Sequence, residues 1–137
     1  MPNSKIVFLD TNVFIYFFQY NPNFSADSKR IFQKITANKL RAVTSVLTLN
    51  ELLSISAPEL MVQKLLRLLL EIPNLEIVPI SSDAAIEAAR LRRQYGFSTP
   101  DAIQIAVALE KKVDALITND KQLKKCKELV VELLKSA

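Results

Sequence analysis

The chain contains no histidine, which excludes Ser-His-Asp and Cys-His catalysis, histidine general bases and His-ligated zinc at one stroke. A lone cysteine, Cys126, cannot close an intramolecular disulfide or assemble a thiolate metal site, so it reads as a small packed residue in a chain compatible with a reducing compartment. Glycine is as scarce: Gly96 stands alone. No apolar run approaches the roughly 20 residues that span a bilayer, and the opening MPNSK lacks the charged segment and cleavage site of a signal peptide. The expectation is a cytoplasmic chain with no membrane association. Polar low-complexity tracts and repeats of solenoid period are also missing. Any chemistry must therefore come from carboxylates, hydroxyls, amides, lysines or arginines.

What is present is globular in composition. Half of the 137 residues are hydrophobic and 23% are charged, enough for one ordinary core, and no stretch invites division, so residues 1–137 read as a single domain. A formal charge of +4 permits a polyanionic partner without requiring one.

The pattern along the chain alternates strands with helices. KIVFL (5–9) is a short β-branched apolar run, Thr11-Asn12 is turn or cap chemistry, and a helix from about Val13 to Tyr20 is apolar nearly all round until Asn21-Pro22-Asn23 breaks it. Such a helix is expected to be buried on several sides. An amphipathic helix follows from Ser25 to near Asn38. RAVT (41–44) reads as a second strand, with Ser45 capping a helix that carries Glu51 about two turns in. From Pro58 to about Glu71 a helix bears apolar residues on most of its circumference, predicting either a helix sandwiched within the domain or one that also packs on another subunit or partner. LEIVPI (75–80) is a third strand, near a sheet edge because Pro79 cannot donate to a ladder. Ser81-Ser82-Asp83 then caps a helix ending at Gly96, with Asp83 read as a cap. Thr99-Pro100-Asp101 opens a helix with a small-residue face, ALIT (115–118) is a fourth strand, and LVVELL (129–134) is ambiguous between strand and helix. The alternation predicts an α/β domain: a mainly parallel central sheet of four or five strands with helices on both faces, in three layers. Ligands of such sheets bind beyond the carboxyl ends of the strands.

Four acids fall where that end should be. Asp10 follows the first strand, Glu51 lies on the helix after the second, Asp101 opens the helix before the fourth, and Asp120 follows the fourth. Singly, each has a plain structural reading as a turn, cap or solvent-facing residue. Together, converging without a cation, they would repel one another and raise each other's pKa values, a conflict that a divalent ion resolves. Oxygen ligands with no imidazole or thiolate favour Mg²⁺ or Mn²⁺, one ion or two, and such ions activate water toward phosphodiesters.

The motifs FLDTNVFI, LTLNELLSI, STPDAIQIAVAL and ALITNDKQL, in this order, resemble those of PIN domains, a family of metal-dependent ribonucleases that includes the VapC-type toxins of bacterial and archaeal toxin-antitoxin pairs. The resemblance extends over nearly the whole chain. It implies that Asp10, Glu51 and Asp101 are the core metal ligands and Asp120 a fourth acid. Asn12 and Thr118 would then be polar groups that position ligands or the scissile phosphate, with Asn119 assisting. It also implies a single-stranded or structured RNA substrate, a homodimer and a small antitoxin partner. Many family members have an aromatic residue in place of Leu123, and many have glycine in the turn occupied here by Lys111 to Asp114.

Setting aside the four acids leaves 18 basic residues against 10 acidic ones. Lys121, Lys124, Lys125 and Lys127, or Arg90, Arg92 and Arg93, are candidates to track a phosphate backbone, and Tyr16, Tyr20 and Tyr95 to stack on bases, although the aromatics from Phe14 to Phe24 read first as core. Two other readings compete. A phosphohydrolase of the HAD type also places aspartate after its first strand, but expects a second aspartate where this chain has Asn12. A non-catalytic interaction module would keep the fold without the chemistry.

Overall fold

The computed structural model describes residues 5–137. Its centre is a five-stranded sheet in the order β3-β2-β1-β4-β5, and every pairing is parallel. The strands are β1 (Lys5–Leu9), β2 (Leu40–Ser45), β3 (Leu75–Val78), β4 (Ala115–Thr118) and β5 (Val131–Leu133). The ambiguous C-terminal segment is thus an edge strand, and β3, with Pro79 just beyond it, is the opposite edge. The helices are α1 (Thr11–Phe18), α2 (Ser25–Thr36), α3 (Val46–Leu53), α4 (Glu59–Leu70), α5 (Ser82–Tyr95) and α6 (Thr99–Glu110).

Central parallel strands are apolar on both faces because helices cover both, and β1 shows the reason residue by residue. Val7 and Leu9 point into a core shared with Val13, Phe14, Ile31, Phe32 and Ile35, while Phe8 points into one shared with Leu91, Ala102, Ile105 and Leu116. The alanine face of α6 allows it to lie close to the sheet and to α5: Ala102, Ala106 and Ala108 are all buried. The order in which strands are added reverses at β1, whose neighbours β2 and β4 lie on opposite sides of it and are reached by separate crossovers. The crevice at its carboxyl end is therefore the topological switch point at which open α/β sheets place ligands.

Four local expectations change. The first helix begins at Thr11 and ends at Phe18, because Asp10 itself is the extended cap residue, its side chain accepting from the Thr11 amide. That helix is buried on one side only, with Ile15 and Tyr20 exposed. Ser81, not Asp83, caps α5 through the Ala84 amide; Asp83 sits in the first turn, where it complements the helix dipole. The largest departure is α4. A helix sandwiched in the domain should bury most of its apolar residues, yet only Leu69 is fully buried, while Leu60 is 81% and Leu70 64% exposed. Hydrophobic pattern gave the helix but not a neighbour to cover it.

Left-handed backbone occurs at Gly96, which ends α5 at φ 75°, and at Asn38, Asn74 and Lys112. Lys112 lies in the turn where a glycine would be easiest, so this chain bears a small conformational cost there. No atom stands within 4 Å of where a Gly96 Cβ would project, so the penalty for Gly96→Ala comes from the backbone alone. That variant is expected to unfold about 1 kcal/mol more easily, measured by urea titration with unchanged m-value.

Candidate active site

Asp10 occupies the carboxyl end of the central strand and is only 7% exposed. Its amide donates to the Ile117 carbonyl at 3.0 Å, which fastens the β1 end to β4. One carboxylate oxygen, Oδ1, accepts from the Thr11 amide at 2.9 Å as the α1 cap. The other, Oδ2, accepts from the Thr118 hydroxyl at 2.8 Å and, more weakly, from Asn12 Nδ2 at 3.4 Å. Capping therefore engages only half of this carboxylate.

Thr118, fully buried at the end of β4, is the hub of the site. Its oxygen accepts from Asn12 Nδ2 at 3.2 Å and from the Asp120 amide at 3.0 Å while its proton goes to Asp10. Asn12 completes the bridge by accepting from the Asn119 amide at 3.0 Å. The first α1 turn and the β4 exit are thereby locked together, and Asp120 is set beside Asp10. Asp120 Oδ1 caps a short 3₁₀ helix (Lys121–Lys125) through the Gln122 amide at 2.9 Å. The Asn119 side chain turns the other way and donates to the Tyr16 hydroxyl at 2.9 Å, so its contribution to the acid cluster runs through its backbone.

Glu51 and Asp101 approach from opposite sides. Glu51, exposed on α3, accepts from the Thr11 hydroxyl at 2.6 Å, which places it next to the residue that caps on Asp10. Asp101 stands in the first turn of α6, half-buried, with its amide donating to the Ser98 hydroxyl. Thr11 was not singled out from the sequence, nor were Thr48 and Gln104, which lie behind it; a glutamine inside IQIAVAL was the one visible signal.

The electrostatics follow from this packing. Burial, foremost, raises the Asp10 carboxyl above its ordinary value, with the Glu51 charge adding to it and the hydrogen bonds from Thr118 and Thr11 opposing. Burial likewise raises Asp101, helped by the charges of Asp120 and Asp10. Asp10 thus feels the charge of Glu51, and Asp101 those of Asp120 and Asp10. None of the ion pairs among the described residues includes Asp10, Glu51, Asp101 or Asp120. As they stand, no three acidic, histidine or cysteine side chains among the described residues enclose an ion. In donor chemistry the set fits a hard divalent cation: all oxygen, acid-rich, and without a basic side chain to neutralise it.

The family model of the PIN domain matches residues 7–129. The chain belongs to the PIN domain family. The fold of this PIN domain is similar to that in VapBC2 from Rickettsia felis bound to a DNA fragment from their promoter, with a TM-score of 0.76 at 22% identity over 95% of this chain and 99% of that one. A toxin-antitoxin complex from Klebsiella pneumoniae gives 0.71 at 25% identity over 92% and 95%, respectively. VapBC-1 from nontypeable Haemophilus influenzae gives 0.70 at 23% over 93% and 96%. Among curated proteins none matches. Family membership sets aside the HAD-type reading, and Asn12 shows why its position suits an amide: it must donate to Thr118 and accept from Asn119 at once.

Raised carboxyl values carry a sign. The folded chain holds these protons more tightly than the unfolded one, so the contribution of Asp101 to stability is greatest below 3.8 and is lost as pH rises through its higher folded value. In EDTA at neutral pH, Asp101→Asn is therefore expected to melt about 1–2 °C higher than the parent, a small gain because solvent screens a half-exposed carboxylate. The gap should close as pH falls toward 3.8. A gap that widens on acidification would contradict a raised Asp101 carboxyl, held up first by burial, as its source.

Proposed function

We propose that this PIN domain is a Mg²⁺- or Mn²⁺-dependent endoribonuclease and the toxin of a toxin-antitoxin pair. The observation that carries this reading is the set of carboxylates at the switch point of the sheet, none of them in an ion pair among the described residues. Asp10, Glu51, Asp101 and Asp120 would hold one or two ions. When bound, such an ion supplies Lewis acidity toward a phosphodiester and lowers the pKa of a water nucleophile. The protein's own part is positional: Thr118 and Thr11 fix the two Asp10 oxygens, and Asn12 ties the Asp10 and Asp120 segments into one unit.

For the substrate side, the lysines after Asp120 are better placed than the α5 arginines. Lys121, Lys124, Lys125 and Lys127 are exposed, and none is in an ion pair among the described residues. Arg90, by contrast, is committed to Glu87 and Glu128, and Arg92 donates to the Phe97 carbonyl. An RNA backbone leaving the acids along the 3₁₀ helix would meet three of these lysines directly. Two tyrosines border that path: Tyr16, partly exposed, accepts from the Asn119 side chain, and Tyr95 accepts from the Lys127 amide.

Assembly is the second half of the proposal. The solved structures with this fold include VapBC and toxin-antitoxin complexes, and the uncovered Leu60, Met61, Leu68 and Leu70 of α4 form the kind of apolar surface that assembly removes from water. We assign the chain a homodimer and a small antitoxin partner, in the cytoplasm. No helix among the described residues is long and apolar enough to cross a membrane.

Single-stranded RNA should be cut in Mg²⁺ or Mn²⁺ and spared in EDTA. Asp10→Asn and Asp101→Asn should each lower the rate by more than the roughly 100-fold typical of losing a group that only supports a ligand. Circular dichroism should show both variants folded; cleavage surviving EDTA and both substitutions would remove the assignment. Light scattering should give about twice the 15.4 kDa chain mass, reduced toward that mass by Leu60→Glu with Met61→Glu. A product of a neighbouring short reading frame should co-purify and inhibit.

A further inference from the structure

Behind the acids lies a buried polar cluster that the cleavage chemistry does not itself require. Thr44, Ser45, Thr48, Gln104 and Thr118 are each at most 1% exposed, in a region where apolar side chains would pack more cheaply. All five have hydrogen-bond partners. Four of them, excepting Thr118, form one chain of contacts reaching from α6 through α3 to Thr11.

The donors and acceptors leave little freedom. Ser45 Oγ accepts from the Leu47 amide, so its proton is available to Gln104 Oε1 at 2.5 Å, which fixes which end of the amide faces which way. Gln104 Nε2 then donates to Thr48 Oγ1 at 2.9 Å. Thr44 directs its proton to the Leu9 carbonyl at 2.8 Å, an oxygen that can only accept. With the Thr44 proton on Leu9, the 2.8 Å contact of Thr44 with Thr48 and the 3.2 Å contact of Thr48 with Thr11 have one proton between them, that of Thr48. Thr11 gives its own proton to Glu51 at 2.6 Å. The contacts run from Gln104 through Thr48 and Thr11 to Glu51, with the Thr48 hydroxyl the branch point at which Thr44 and Thr11 compete for that proton.

The spacing supports the same conclusion. Thr48 and Glu51 are three apart on α3, and Asp101 and Gln104 are three apart on α6, so each helix presents an acid and its buried support on one face. Glu51 is exposed and long, and Thr11 is the partner that keeps it from ranging through solvent.

We propose that Gln104 and Thr48 are positioning residues that hold Glu51 beside Asp10 by fixing the hydroxyl of Thr11. Their relevance to cleavage rests on the nuclease reading above, but the geometry does not. Thr48→Val removes the hydroxyl at constant shape, Thr48→Ser keeps it, and Gln104→Met removes the amide at similar length. Crystal structures of Thr48→Val and Gln104→Met are expected to show the Glu51 carboxylate beyond 3.5 Å from Thr11 Oγ1, about the limit of a hydrogen bond, with Thr48→Ser restoring contact. In RNA cleavage, kcat should fall about 10- to 100-fold with KM within about twofold, and Mn²⁺ affinity by calorimetry should fall about 10-fold, both rescued in Thr48→Ser. Glu51 remaining in place in both structures overturns the proposal, as does its displacement with kcat and Mn²⁺ affinity unchanged. If the parent chain neither cuts RNA nor binds Mn²⁺, the nuclease reading fails, and the crystal structures still decide whether Thr48 and Gln104 position Glu51.

Discussion

A carboxylate that is almost wholly buried, with no ion-pair partner among the described residues, sits at the end of the central strand, and the surrounding structure is arranged to tolerate it. Asp10 cannot be stabilised by apolar neighbours, and none of the ion pairs among the described residues includes it, so its two oxygens are met by the Thr11 amide and the Thr118 hydroxyl. Both donors are placed by regular structure: one is the first amide of α1, the other the last residue of β4. The strand pairing that aligns Leu9 with Ile117 is what brings them within reach. The fold and the site are thus one construction at this point, and a slip of one residue in that pairing would turn Thr118 to the other face.

The same logic explains how rigidity is distributed. The parallel strands are buried on both faces, and two separate cores close on β1 from either side. That sandwich fixes the backbone at the carboxyl edge, where burial first, and neighbouring acid charge second, raise Asp10 and Asp101. Repulsion of this kind costs stability and is retained where charge is used. At the periphery the chain is less economical: α4 leaves Leu60, Met61 and Leu70 in water, apolar surface of the kind that assembly removes.

Much of this was legible in the sequence because it is local. Short β-branched apolar runs marked the strands, Pro79 marked an edge, Gly96 marked a helix end at a left-handed residue, and Ser45 marked the cap of α3. The start of α1 was misplaced by two residues because Asp10 was weighed as chemistry or as a cap, and it uses separate oxygens for each. The apolar stripe of α4 was visible, but a stripe reports only that something must cover it, and the same pattern serves a buried helix and an unpartnered one.

The sequence by itself determined that an α/β domain would carry its acids at the carboxyl edge of a parallel sheet, since strand, turn and cap preferences act over a few residues and the order of elements restricts the topology. Only the tertiary structure decided how those acids are held. Thr118 lies 108 positions from Asp10, Thr48 lies 56 from Gln104, and Thr11 lies 40 from Glu51. No local preference links such pairs. They meet because burial of two apolar cores fixes β1, β2, β4 and α6 against one another, and a hydroxyl or amide trapped at that junction must find its partner there or bear the cost of being unpaired.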